Sequence, residues 1–282
     1  MGALFGPLGG LDELPCATSL SESPAGDMVL SETRALDGTV YAQVAPESPN
    51  RVWDVQVSTA KPEQAQILAQ AARYQRRRAR PHVFYSESAQ VNNLLDPDAS
   101  LMSPARWAHL KDGGSRVRPF DAPGLFLESG STPEDGTWAH LSNIPIPYGR
   151  TVTVSIVLTA YPGQTAHLWI DELGMDGATL PGVRKLTTTG VLQRLTTTFE
   201  TTGSTVALTL GVSRALTVVA PQVTLTDRAM PWSEGEGCLN AYITPAARDV
   251  QAAFVVPHDW GRRSAYSWQV REIGKASMGH AG

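Results

Sequence analysis

The fold of this chain is decided by the run Thr151-Val152-Thr153-Val154-Ser155-Ile156-Val157-Leu158. Its apolar residues Val152, Val154, Ile156 and Leu158 occupy every second position, and hydroxyl side chains fill most of the positions between them. Successive side chains of a β-strand point to opposite faces, so a period of two predicts a strand with one face on a core. The run therefore predicts a half-buried strand of a β-sheet.

The same period of two recurs along the middle of the chain. It is seen at Ala166, Leu168 and Ile170, at Gln193, Leu195, Thr197 and Phe199, and at Val206, Leu208, Leu210 and Val212. Several short amphipathic strands bury their apolar faces most simply by pairing two sheets. We predict a mainly β protein that contains an antiparallel, jelly-roll-like β-sandwich.

The length and composition favour two folded domains. The chain has 282 residues, 42% of them hydrophobic and 18% charged, and its formal net charge is −4. This charge gives no overall attraction to nucleic acid or to anionic lipid. No run approaches the roughly 18 consecutive apolar residues that span a bilayer, and we expect neither a signal peptide nor a membrane association.

The two ends of the chain are predicted to fold together. Residues 28–34, 40–44, 52–57 and 82–86 have strand character, and residues 60–77 have helical periodicity. The closing strands after residue 228 are too few to form a stable domain alone. We therefore predict a discontinuous β-rich domain with one helix, made of residues 1–90 and 228–282, that carries residues 91–227 as an inserted sandwich. Within it, residues 1–26 form an arm and residues 275–282 a tail.

Four short motifs mark the boundaries and the middle of the predicted insert. They are Asn93-Leu94-Leu95, the segment Leu192-Gln193-Arg194-Leu195-Thr196-Thr197-Thr198-Phe199, Ala220-Pro221-Gln222, and Trp232-Ser233-Glu234-Gly235-Glu236-Gly237. With this organisation the chain resembles the distal tail proteins, or minor tail proteins, of long-tailed bacteriophages. Its insert is similar to galactose-binding-like and carbohydrate-binding-module sandwiches.

The resemblance implies an architectural role in the virion. It implies a homo-hexameric ring at the tail tip that contacts the tail tube protein and the tail-tip hub or baseplate proteins. DNA would pass through the lumen only as cargo, and the protein would be made in the host cytoplasm. The outward sandwich would attach to host surface polysaccharide or dock other tail-tip proteins. The alternative function is that of a lectin-like receptor-binding protein for cell-wall polysaccharide.

A dense basic cluster comprises Arg73, Arg76, Arg77, Arg78 and Arg80. Cations at the end of a helix complement the helix dipole and remain solvated, which is one interpretation. The others are ion pairs between subunits and contact with DNA, of which the last requires strong salt dependence.

Four aromatic residues are candidates for a sugar-binding surface: Trp107, Tyr148, Tyr161 and Trp169. Flat aromatic faces stack on the apolar side of sugar rings, but large aromatic residues also fill cores. Trp169 is the strongest candidate because its side chain points away from the face that carries Leu168 and Ile170.

The sequence offers no catalytic signature, and we predict that the protein is not an enzyme. The adjacent acidic residues Asp171 and Glu172 cannot face one substrate from a strand, and we interpret them as loop residues. His140 and His167 are interpreted as isolated histidines on strands, and we predict no metal and no cofactor. Cys16 and Cys238 are either two buried thiols or a disulfide between the chain ends.

Overall fold

The computed structural model shows a chain that is mostly β-strand, arranged in antiparallel sheets. It describes residues 2–7, 10–25, 30–34, 40–44, 50–60, 66–67, 69–70, 73, 82–103, 106–108, 115–119, 125–129, 137–160, 165–174, 178–182, 184–189, 193–212, 216–244, 247–256 and 259–273. The prediction of a mainly β fold with antiparallel sheets in a sandwich is confirmed.

The chain forms two compact units. Unit 1 comprises Met1–Glu13 and His82–Leu239, and unit 2 comprises Leu14–Pro81 and Asn240–Gly282. The domain boundaries proposed from the sequence, at residues 90/91 and 227/228, stay a prediction.

Unit 1 contains a β-sandwich together with short strands and helices that join its core. Its elements are β1 (Leu4–Gly6), β2 (Asp12–Glu13), β7 (His82–Tyr85), α1 (Glu87–Asn92), α2 (Pro97–Ser100), β8 (Ser115–Pro119), β9 (Leu125–Ser129), β10 (Thr137–Pro145), β11 (Thr151–Ala160), β12 (Thr165–Leu173), β13 (Arg184–Thr189), β14 (Gln193–Glu200), β15 (Thr205–Val212) and β16 (Leu216–Thr224). One sheet has the order β10-β15-β12-β13, and the other has the order β14-β11-β16-β9-β8.

The alternating runs supply the core of the sandwich as predicted. Val152, Val154, Ile156 and Leu158 of β11 are all buried. The inward residues of the other strands join the same cluster, namely Ala166, Leu168, Ile170, Leu195, Phe199, Val206, Leu208 and Leu210. Burying a large aliphatic side chain contributes about 1.5–3 kcal/mol, so this cluster holds the two sheets together.

Unit 2 is a smaller β-structure built from two distant segments of the chain, Leu14–Pro81 and Asn240–Gly282. Its strands are β3 (Ser19–Ala25), β4 (Leu30–Arg34), β5 (Val40–Val44), β6 (Asn50–Ala60), β18 (Ala247–Val256) and β19 (Asp259–Glu272). Strand β17 (Cys238–Ile243) contains the boundary between the units, which falls after Leu239. β6 pairs with β3 on one side and with β19 on the other, while β4 and β5 form a separate hairpin.

Unit 2 also includes the helix predicted for residues 60–77. Gln66, Ile67, Ala69, Gln70 and Arg73 are helical, and the rest of that segment, apart from Ala60 at the end of β6, lies outside the described residues. The structure adds two short helices in unit 1, α1 and α2, which the periodicity of the sequence did not predict. Each begins at a side-chain cap, Ser86 for α1 and Asp96 for α2.

Candidate functional site

The outer face of the sheet β10-β15-β12-β13 carries the strongest candidate site. On β12, Leu168 and Ile170 point into the core and are fully buried. His167, Trp169 and Asp171 alternate with them, point to the other face and are half-buried. The tryptophan predicted to face outward from the sequence does so.

Strand pairing places polar residues on both sides of Trp169. In the antiparallel register, Trp169 lies opposite Thr209 of β15 and opposite Lys185 of β13. Thr209 in turn lies opposite His140 of β10. His140, Thr209, Trp169 and Lys185 therefore form one row across four strands, which we call the tryptophan row. Three inter-strand spacings of about 4.8 Å give this row a length of about 14 Å.

A second row lies beside the first. His167 is opposite Thr187 of β13 and Gly211 of β15. Its imidazole centroid lies 5.2 Å from that of Trp169, with the two rings tilted by 50°. Gly211 has no side chain, so the surface next to the imidazole of His167 stays open on the β15 side.

Hydrogen bonds orient the two imidazoles. Nδ1 of His140 is 2.8 Å from Oγ1 of Thr209, and Nδ1 of His167 is 3.0 Å from Oγ1 of Thr187. Burial and, to a lesser degree, the ammonium of Lys185 lower the pKa of His167 below its ordinary value. His167 is therefore a neutral hydrogen-bonding group at neutral pH rather than a cation.

The ammonium of Lys185 lies above the indole. Its Nζ atom is 5.4 Å from the ring centroid, within the range of a cation–π contact. This contact covers part of the ring with a flexible, exposed side chain that a ligand can displace. The face thus combines one aromatic surface with hydroxyl, imidazole and ammonium groups, a set suited to stacking on a sugar and hydrogen-bonding its hydroxyl groups.

Trp107 does not belong to this surface. It is only 1% exposed and its Nε1 donates a hydrogen bond of 2.8 Å to the carbonyl oxygen of Ala99 in α2. A buried ring with a satisfied N–H is a core residue. Of the two interpretations of Trp107 from the sequence, the structure supports packing, and the expected role in sugar binding is wrong.

Tyr148 lies at the opposite extreme of exposure. It is 79% exposed and follows β10 in the turn that leads to β11. The turn is fixed by hydrogen bonds from the backbone N–H groups of Ile146 and Gly149 to the carbonyl oxygens of Ser204 and Thr201. Tyr148 therefore lies past the end of β10 and is not part of the tryptophan row. Tyr161, the remaining aromatic candidate, lies outside the described residues.

The basic cluster is represented in the structure by one residue. Arg73 is helical and exposed, while Arg76, Arg77, Arg78 and Arg80 lie outside the described residues. The three interpretations of this cluster stay predictions.

The motifs that mark the predicted insert meet in a buried polar network on the other sheet of unit 1. Asn93 is fully buried, and its Oδ1 accepts hydrogen bonds of 3.2 Å from the N–H groups of Leu95 and Val223. Its Nδ2 donates to the carbonyl oxygens of Pro221 and Ser233 at 3.2 and 3.0 Å. One amide side chain thus joins three separate segments of the chain.

Gln222 and Arg194 extend this network. Nε2 of Gln222 donates to the carbonyl oxygens of Asn92 and Pro231 at 2.7 and 2.9 Å. The guanidinium of Arg194 donates to Oε1 of Gln222 and to Oγ of Ser155 at 2.6 and 2.7 Å. Burial lowers the pKa of Arg194, which nonetheless remains a cation. These contacts identify the motifs as structural elements rather than a ligand site.

The segment Trp232-Ser233-Glu234-Gly235-Glu236-Gly237 needs its two glycines for close packing. A Cβ atom on Gly237 would lie 2.0 Å from the carbonyl oxygen of Leu94, and one on Gly235 would lie 2.2 Å from that of Leu95. The N–H of Gly237 donates a hydrogen bond of 2.9 Å to the same oxygen of Leu95. Only residues without a side chain allow this approach.

The acidic pair Asp171 and Glu172 lies within strand β12, so its interpretation as part of a loop is wrong. The two side chains point to opposite faces, as the strand geometry required. Glu172 is buried, accepts a hydrogen bond of 2.8 Å from the N–H of Thr202, and forms an ion pair of 3.1 Å with Arg184. Its role is to hold the turn between β14 and β15, and the pair does not form a catalytic dyad.

The described residues show neither a metal-ligand cluster nor a membrane-spanning helix. They contain no group of three or more His, Cys, Asp or Glu side chains that could hold a metal ion. The carboxylate of Asp96 caps α2 and pairs with Arg106 at 2.8 Å. Cys16, which is exposed, and Cys238, which is buried, form no disulfide. Within the same described part of the chain, no helix is both long and apolar enough to cross a membrane.

Comparison with known proteins gives matches among solved structures alone. No protein-family model and no curated protein matches the chain. The enzymatically active domain of tailspike protein 4 from bacteriophage CBA120 is 13% identical, with a TM-score of 0.37 over 49% of this chain and 22% of its own. TmCBM61, solved with β-1,4-galactotriose, is 15% identical, with a TM-score of 0.34 over 48% and 99% of the two chains.

A third solved structure is the CBM22-1 xylan-binding domain of Xyn10C from Paenibacillus barcinonensis. It is 15% identical, with a TM-score of 0.31 over 50% of this chain and 92% of its own. These three structures are two carbohydrate-binding modules and a phage tailspike domain, each matched over about half of this chain.

Proposed function

We propose that unit 1 binds carbohydrate on the outer face of the sheet β10-β15-β12-β13, with Trp169 as the stacking surface. The observation that carries this proposal is the tryptophan row. Trp169 contributes nothing to the aliphatic core on the inner face, where Leu168 and Ile170 are already fully buried. An indole held on the solvent face among hydroxyl and imidazole groups favours a binding role over a packing role.

The neighbouring groups fit the chemistry of a sugar. Thr209 and Thr187 carry hydroxyl groups that both donate and accept hydrogen bonds, and the imidazoles of His140 and His167 do so as well. They lie on adjacent strands, so their positions are set by the sheet rather than by a loop. Rigid placement lowers the entropic cost of binding, which favours recognition of a polymer along its length.

Glycan binding by the full-length protein tests this proposal. A microarray of bacterial surface and cell-wall polysaccharides identifies ligands, and titration calorimetry gives their dissociation constants. We expect Trp169→Ala to weaken binding by about 1–2 kcal/mol, or about 5- to 30-fold, because a buried aromatic contact is lost.

Tyr148→Ala provides a control, since it removes an exposed aromatic residue that lies outside the tryptophan row. It should leave the dissociation constant unchanged. Binding that survives Trp169→Ala but is lost in Tyr148→Ala would move the site to the turn between β10 and β11 and refute the proposed face. Retained thermal stability of both variants separates loss of a contact from loss of fold.

We further propose that the chain is a structural component of a phage tail tip and that it displays this sandwich toward the host. The support is the resemblance of its motifs to distal tail proteins and the discontinuous composition of unit 2, which combines Leu14–Pro81 with Asn240–Gly282. In this proposal unit 2 forms a homo-hexameric ring that contacts the tail tube and tail-tip hub proteins.

Sedimentation of the purified full chain tests the ring. A species of about six protomers is expected, and a monomer at all concentrations up to the tens of micromolar would contradict a self-assembling ring without affecting sugar binding. The proposal also holds that the protein binds without hydrolysis. Release of new reducing ends from a bound polysaccharide would show an enzyme instead.

A further inference from the structure

Lys185 is a cation on the proposed binding face, and no described acidic residue forms an ion pair with it. It is exposed, and it belongs to none of the ion pairs between described residues. Its neighbour Arg184 behaves differently, since it points to the inner side and is paired with the buried Glu172. The ammonium of Lys185 contacts the Trp169 ring, which accepts no conventional hydrogen bond from it.

The acidic residue on the same face lies away from this ammonium. Asp171 is two positions beyond Trp169 on β12, a displacement of about 6.8 Å along the strand. The pairing of β13 with β12 ends at Ile170 and Arg184, so no residue of β13 lies opposite Asp171. Of these two charged residues, Lys185 is therefore the one that lies directly opposite Trp169, and Asp171 lies past the end of β13.

The other described residues of the two rows carry no negative charge. Thr187 and Gly211 lie on either side of His167, and Thr209 separates Trp169 from His140. The described residues of the two rows thus bring one permanent positive charge and several hydrogen-bonding groups to the ring, and none of them is a carboxylate. Neutral sugars need no such cation, whereas an anionic sugar gains a charge-assisted hydrogen bond from it.

We propose that this face selects an acidic polysaccharide, with one sugar ring stacked on Trp169 and its carboxylate, sulfate or phosphate group bound by Nζ of Lys185. The inference rests on the proposed carbohydrate-binding function and specifies its ligand class. As the sugar takes the place of the ammonium over the ring, the flexible lysine side chain moves to the anionic substituent. The cation–π contact is thereby exchanged for an ion pair.

Matched pairs of polysaccharides test this inference with the full-length protein. The probes are polygalacturonate, alginate and hyaluronan, each beside its carboxyl-reduced form, which keeps the backbone and removes the charge. Affinity electrophoresis and calorimetry compare the wild type with Lys185→Gln and Lys185→Arg. Arg271→Gln is the control because it removes one exposed positive charge from unit 2.

We expect the wild type to bind at least one acidic polymer about fivefold or more tightly than its reduced form. Lys185→Gln should abolish this preference, and Lys185→Arg and Arg271→Gln should retain it, with the preference decreasing as salt rises. Equal binding of the charged and reduced forms, or a preference unchanged in Lys185→Gln, would overturn the inference and leave sugar binding intact. Failure to bind any polymer of either set would count against both proposals.

Discussion

Asn93→Ala is expected to be among the most destabilising single substitutions in unit 1. The side chain is fully buried and makes four hydrogen bonds to backbone groups of β16, of the segment before α2 and of the segment that follows β16. Alanine offers neither a donor nor an acceptor. The N–H groups of Leu95 and Val223 and the carbonyl oxygens of Pro221 and Ser233 would each lose this partner.

The expected cost follows from the number of lost contacts. A buried hydrogen bond contributes about 1 kcal/mol net, and a buried polar group left without a partner costs about 1–3 kcal/mol. Val223 keeps its carbonyl contact with the N–H of Leu94 at 2.8 Å, so part of the arrangement survives. We therefore expect a loss of about 3–5 kcal/mol in the free energy of unfolding of unit 1.

Two measurements examine this prediction, with Asn92→Ala as the matched control. Asn92 precedes Asn93 and loses a single partly buried hydrogen bond, of 2.6 Å to Glu236, so its cost should stay near 1 kcal/mol. Urea denaturation gives the two free energies, and hydrogen exchange should accelerate at Val223 and Leu95 in Asn93→Ala alone. A cost for Asn93→Ala equal to that of the control, with unchanged exchange at Val223, would refute this account of the network.

Two further predictions concern a glycine and a histidine of unit 1. Gly237→Ala should lower the melting temperature more than Gly149→Ala. A Cβ at residue 237 would lie 2.0 Å from the carbonyl oxygen of Leu94, a clash that the packed backbone cannot relieve. A Cβ at residue 149, where φ is +65, would meet no atom within 4 Å, so this variant bears only the cost of a left-handed alanine, about 1–2 kcal/mol. Equal shifts in melting temperature would contradict the steric explanation. NMR titration of His167 should give a pKa below its ordinary value of about 6.5. Burial and the nearby ammonium of Lys185 disfavour the imidazolium. Asp171, the acidic residue on the same face of β12, lies beyond the end of β13. The neutral imidazole therefore contributes stability above that ordinary pKa, and this contribution is lost as pH falls through the lowered value. Lys185→Gln should move the pKa upward, and a wild-type pKa above 6.5 would be incompatible with this environment.

The sandwich could be predicted because its strands bury one face. Inward residues of β11, β12 and β15 repeat every second position in the sequence, and the same residues form the core of unit 1. A one-residue error in such a strand exchanges its core and solvent faces, so the alternation is a strong constraint. For the same reason, the outward direction of Trp169 could be predicted from Leu168 and Ile170.

Other features depend on contacts between distant segments and leave little trace in the local sequence. The composition of the segment around Asn93 predicts a turn at a domain boundary, yet Asn93 is among the most completely buried of the described polar residues of unit 1. Gly235 and Gly237 likewise look like loop glycines in the sequence. In the structure, their lack of a side chain lets the backbone pack against the carbonyl oxygens of Leu95 and Leu94. Residue type alone does not distinguish a flexible turn from a tightly packed one.

The neighbours of Trp169 could not be predicted, because they depend on strand register. His167 and Asp171 share its face by alternation, but Lys185, Thr209 and His140 come from three other strands. The register of β13 against β12 places Leu186 opposite Leu168, and Leu186 packs on the core. A slip of one residue would put Leu186 beside Trp169 and turn Lys185 toward the core, where an unpaired ammonium is costly to bury. The core contact of Leu186 thus holds Lys185 next to the indole, so the charge and the aromatic ring of the proposed site are positioned by the same packing that stabilises the sandwich.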